Sequence, residues 1–167
     1  VPEYVRETGT LTISPVVQAY RNYFGKKTDK GFGDSGSCNN NVNCPVGADW
    51  QDTKRAVAMI LTSGGSRICS GSLVNNVRQD ATPYFLTANH CLGGEENWIF
   101  MFQYESPNCT NIDGPTNLTV QGSTLLANSS FSDFGLLELT EQPPDSYNVY
   151  YAGWSAMDTV VDSTCGI

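Results

Sequence analysis

The sequence predicts an all-β protein, an antiparallel sandwich or barrel, and three observations carry that reading. From Arg55 onward short apolar segments follow one another, they are rich in Val, Ile, Tyr, Phe and Thr, and Gly, Asn, Asp and Pro punctuate them. No stretch has the length and the 3.6-residue period of a sizeable amphipathic helix. At 167 residues the chain is long enough for one well-cored domain and part of a second.

Residues 1–31 hold two apolar patches, Leu11 to Ile13 and Val16-Val17, with Tyr20, Tyr23 and Phe24, and then a polar turn. They read as an N-terminal arm or propeptide remnant with one or two strands. The strands proper are AVAMIL at 56–61, CSGSLVNN at 69–76, YFLTA at 84–88, WIFMFQY at 98–104, LTVQGSTLLA at 118–127, FGLLEL at 134–139 and YNVYYAGW at 147–154. A turn or two of helix is allowed only near 91–97. No internal repeat is visible.

Nine basic against seventeen acidic residues give a net charge of -8, and the longest basic run is Lys26-Lys27, so nucleic acid is excluded as a partner. Six cysteines are present with no Cys-x-x-Cys and a single histidine, which argues against a zinc site and for disulfides outside the cytosol. Sequons at Asn108, Asn117 and Asn128 are compatible with surface loops of an exported protein. Without a signal peptide at Val1 or an apolar run of membrane-spanning length, the chain reads as a mature, soluble, processed product with no membrane partner.

Two segments carry candidate chemistry. YFLTANHC at 84–91 puts the sole histidine, His90, at the end of an apolar strand and directly before a cysteine. An imidazole so placed is suited to general-base work because its ordinary pKa lies close to neutrality. In SDFGLLEL at 132–139 an aspartate, Asp133, precedes an apolar strand. Such a residue is ordinarily a turn former or cap, but a carboxylate that accepts a hydrogen bond from the histidine is also what fixes the tautomer in a Ser-His-Asp triad. A metal site at Glu95 and Glu96 is the weaker alternative, since adjacent acids in a loop are ordinarily a solvated turn.

CSGSLVNN, YFLTANHC, FQYESPNC, SDFGLLEL and YYAGW, in this order and at these separations, resemble the first half of the lysyl endopeptidase family, bacterial secreted members of the chymotrypsin-like serine proteases. SGSCNNNVNCP at 35–45 resembles the start of the mature enzyme, so the likeness spans about Phe32 to Trp154. It implies a chymotrypsin-like antiparallel β-barrel: an N-terminal barrel over 32–143, and at 144–167 the first strand of a second barrel that is otherwise absent. His90 matches the general base and Asp133 the orienting aspartate. It also implies disulfides Cys69 with Cys91 and Cys44 with Cys109, and leaves the partners of Cys38 and Cys165 open. No cofactor or metal is implied.

Gly-Asp-Ser-Gly at 33–36 looks like the surroundings of a nucleophilic serine, but the family order is His, Asp, Ser. Ser35 comes before His90 and is followed by Ser37-Cys38 where Gly-Pro is expected. Ser70, Ser72 and Ser123 lie in strand-like segments, and Ser146, Ser155 and Ser163 lack the flanking glycines of an oxyanion hole. The expectation is therefore the N-terminal half of a secreted serine endopeptidase acting on protein or peptide substrates. A second polypeptide would supply the nucleophile, oxyanion hole and specificity pocket, so this chain alone would be inactive, and lysine specificity is not carried over. The competing reading is a non-catalytic, protease-derived barrel that serves as a binding module.

Overall fold

The computed structural model describes residues 38–157 and 166–167. The N-terminal arm, Ser35, Ser163 and Cys165 lie outside the described residues. Seven strands form one antiparallel sheet: β1 (Val57–Leu61), β2 (Arg67–Val74), β3 (Tyr84–Thr87), β4 (Ile99–Phe102), β5 (Thr119–Gln121), β6 (Ser123–Ser129) and β7 (Phe134–Leu139). Their order across the sheet is β5-β4-β1-β2-β3-β7-β6.

The two outermost strands are consecutive in the chain, separated by Gly122 alone. The sheet is thus rolled until its ends meet, and one bent strand serves both edges. Gly122 makes the join itself: its N–H donates to the Trp98 carbonyl at 2.8 Å beside β4, and its carbonyl accepts from Thr140 N–H at 3.0 Å beyond β7. Its φ of 82° lies in the left-handed region, and a Cβ there would come within 2.7 Å of Thr140 Oγ1. This bend is why 118–127, expected as one strand, is two.

Alternation supplies the core. In β7, Gly135, Leu137 and Leu139 are buried while Phe134, Leu136 and Glu138 are only partly so. Leu137 and Leu139 meet Ala58, Ile60, Leu73, Phe85, Trp98, Phe100, Phe102 and Val120 in one cluster. The Phe85 and Phe100 rings pack edge to face at 4.9 Å. Burying each large apolar side chain contributes about 1.5–3 kcal/mol.

The segment at 147–154 departs from the expected strand. After a 3-10 turn (Asp145–Tyr147) and a left-handed residue, Asn148, the chain makes one parallel bridge, Ala152 to Val74. Past the end of the β1–β2 ladder at Val57 and Ser72, the backbone groups of Leu73 and Asn75 are free on that side. Ala152 takes both, donating to Leu73 O and accepting from Asn75 N at 2.9 Å each. Trp154 Nε1 then donates to Asn75 O at 2.9 Å.

Further 3-10 turns occur at Asn89–Cys91 and Glu95–Asn97, the region where helix was allowed, and at Pro45–Trp50 and Thr53–Ala56, which sequence periodicity did not reveal. Single turns are too short to show a period. The segment ahead of β1 is held by the Cys44–Cys109 disulfide and by Lys54 Nζ, which lies 2.6 Å from both Glu105 Oε1 and Asn43 Oδ1.

Gly122→Ala is expected to lower stability by about 1–2 kcal/mol, from left-handed backbone strain and the clash with Thr140. Urea unfolding checks it, and an unchanged midpoint would mean the join is less constrained than its geometry states.

Candidate active site

His90 lies in the 3-10 turn Asn89–Cys91, immediately after β3. Four contacts hold this turn. Cys91 is disulfide-bonded to Cys69 on β2. Asn89 N–H donates to the Asp133 carbonyl at 3.1 Å. Asn128 Nδ2, on β6, donates to Asn89 Oδ1 at 2.7 Å. Leu92, just past the turn, packs on the core cluster and fills the space a Cβ of Gly135 would take, its Cδ2 3.0 Å from that position.

Asp133 closes the turn 130–133 ahead of β7 and has a φ of 52°. Aspartate tolerates this left-handed conformation better than most residues, and such backbone positions cluster at functional sites. Asp133 Oδ2 lies 2.7 Å from His90 Nδ1, and Oδ1 accepts from His90 N–H at 2.9 Å. One carboxylate therefore grips both the ring and the backbone of the same histidine.

The hydrogen bond from the His90 side chain, and after it the one from the His90 backbone N–H, hold the Asp133 carboxyl below its ordinary pKa. An ionised carboxylate can only accept, so Nδ1 carries a proton, and of the two neutral tautomers this bond selects the one whose lone pair is on Nε2. Among the described residues only Asp133 is hydrogen-bonded to the ring. The side chains of His90 and Asp133 are 71% and 50% exposed. Exposed ion pairs add little stability, so fold stability does not account for this doubly bonded geometry.

Other candidates sort plainly. Ligand atoms of Cys69, His90 and Cys91 lie within 4.8 Å of one another, but the two sulfurs are bonded to each other and are not thiolates. Glu95 Oε2 accepts from Gly93 N–H and Glu96 Oε1 from Asn97 Nδ2, each at 3.0 Å, so both acids serve their own loop. Ser123 is buried and donates to the Glu95 carbonyl at 2.8 Å. Ser70 and Ser72 lie on β2, Ser146 in the turn Asp145–Tyr147, and Ser155 Oγ accepts from Met157 N–H. None of these is bonded to His90. Sequence reasoning gave no role to Asn89 and weighed Asn128 only as a sequon; no periodicity or spacing signals an amide bridge across 39 residues.

Residues 32–167 match the family described as lysyl endopeptidase, C-terminal domain. The chain belongs to the lysyl endopeptidase family. Lysyl endopeptidase from Pseudomonas aeruginosa is 31% identical over 140 residues, which cover 75% of this chain and 30% of the relative. This family member thus spans less than a third of that relative's length. The family match contains His90, Asp133 and both disulfides. No helix among the described residues is long and apolar enough to cross a membrane.

Two outcomes follow from the geometry. Cys69→Ser is expected to cost roughly 2–4 kcal/mol and to broaden His90 resonances more than those of the distant β4 and β5, read by thermal unfolding and NMR. Because Asp133 titrates below its ordinary value when folded, its contribution to stability is present above that value and is lost as pH falls through the folded pKa. Asp133→Asn should therefore flatten part of the decline in stability below about pH 4. Urea midpoints from pH 2.5 to 6 test this, and superimposable profiles would refute it.

Proposed function

We propose that this chain supplies the general base and its orienting carboxylate to a secreted serine endopeptidase. The bond from His90 Nδ1 to Asp133 Oδ2 carries the reading, with support from membership in the lysyl endopeptidase family. Nε2 of His90 accepts the proton of the attacking serine hydroxyl as oxygen bonds to the peptide carbonyl carbon. Asp133 stabilises the imidazolium so formed, which then protonates the leaving amine.

Exposure fits this role, because Nε2 must be reachable by a nucleophile and a substrate that approach from outside the barrel. The nucleophilic serine, oxyanion hole and specificity pocket are assigned to polypeptide outside residues 1–167, either a continuation of the chain or a second one. The chain alone is then inactive. Two disulfides suit an oxidising location outside the cytosol.

In the complete enzyme, His90→Ala should lower kcat/KM by at least about a thousand-fold with only a small fall in unfolding temperature, since the exposed pair adds little stability. The isolated 167-residue chain should take up no fluorophosphonate. Full activity of the variant would end the proposal, and labelling of the isolated chain would place the nucleophile within it.

A further inference from the structure

We infer that Asn89 and Asn128 form a positioning clamp for the His90 imidazole, an inference that rests on the reading of His90 and Asp133 as the general-base pair. Asn128 lies opposite Gly135 in the β6–β7 ladder, and Gly135 lies opposite Thr87 in the β3–β7 ladder. Side chains of cross-strand partners share a face. On that face the middle residue of the row has no side chain, and Leu92 fills the vacated space. The turn Asn89–Cys91 can therefore settle onto the end of β7, and Asn128 reaches Asn89 from the far side at 2.7 Å.

The clamp supplies what the other contacts lack. The Asn89 and His90 N–H bonds both end on Asp133, at its carbonyl and its Oδ1, so a movement of that single residue displaces both. The disulfide holds Cys91, on the side of His90 away from Asn89. Asn128 fixes the Asn89 side chain, directly ahead of His90, to strand β6 without passing through Asp133, and it does so by hydrogen bonding rather than packing. With both flanks of His90 anchored, the ring holds its approach to Asp133 while Nε2 stays open. Asn128 acts through Asn89 and does not touch the reacting atoms.

His90 is the sole histidine, so a downfield Nδ1–H resonance of the 15N-labelled chain reports on this one bond. In the unsubstituted chain the resonance should be present, and in Asp133→Asn it should shift. Asn128→Ala should speed exchange of that proton with water by roughly 3- to 10-fold, the factor a single hydrogen bond sustains, at unchanged unfolding temperature. Asn128→Asp should restore slow exchange, since its carboxylate accepts from the Asn89 amide once that group is turned over. Identical exchange in Asn128→Ala would overturn the clamp and leave the general-base reading standing. Absence of the resonance from the unsubstituted chain would overturn both.

Discussion

Gly122 stands where one strand must serve both free edges of the sheet, and the other features of the structure follow from that closure. Each end strand is hydrogen-bonded to one neighbour only, β5 to β4 and β6 to β7, and the join at Gly122 draws these two edges together. The rolled sheet gathers apolar side chains of β1, β2, β3, β4, β5 and β7 around a single core that includes Trp98, Phe100 and Phe85, while β6 contributes none. A residue that could not adopt a φ of 82° at that bend would split β5 from β6 or force them apart.

The site inherits its geometry from the register so set. Thr87 of β3 and Gly135 of β7 are ladder partners, which brings the turn after one strand beside the turn before the other. Residues 43 apart in sequence thereby come within 2.7 Å, and the approach is held by backbone as well as side-chain bonds. Asp133 adopts a left-handed conformation to aim its carboxylate. Placing the pair on the surface gives up the stability a buried pair would need, and gains access to the ring from outside. Chemistry that passes a proton to and from a bound partner requires that access.

A second region obeys the same logic with a different aim. Lys54, Asn43 and Glu105 form a partly buried polar knot beside the Cys44–Cys109 disulfide, and together they tie the segment ahead of β1 to the loop after β4. Here the charges are more enclosed than at His90, their partners are complete, and the arrangement fastens chain to chain.

The sequence by itself determined the fold class, because short segments rich in β-branched and aromatic residues, frequent turn residues and the absence of a helical period favour an antiparallel all-β solution. It also named His90 and Asp133 as candidates, chiefly because YFLTANHC and SDFGLLEL resemble motifs of a known family, since an aspartate ahead of a strand is by itself an ordinary turn residue. The tertiary structure alone decided the rest. Gly122 reads as any strand glycine until the sheet order shows that it joins the two ends. The segment at 147–154 has strand composition, yet apart from one backbone bond to Arg55 it pairs with the short length of β2 that β1 leaves uncovered, so a single bridge forms. The Asn89–Asn128 bond, like the grip of Asp133 on the His90 backbone, depends on which strands are neighbours and in what register. Those are long-range choices, made by packing the whole core, and no local pattern encodes them.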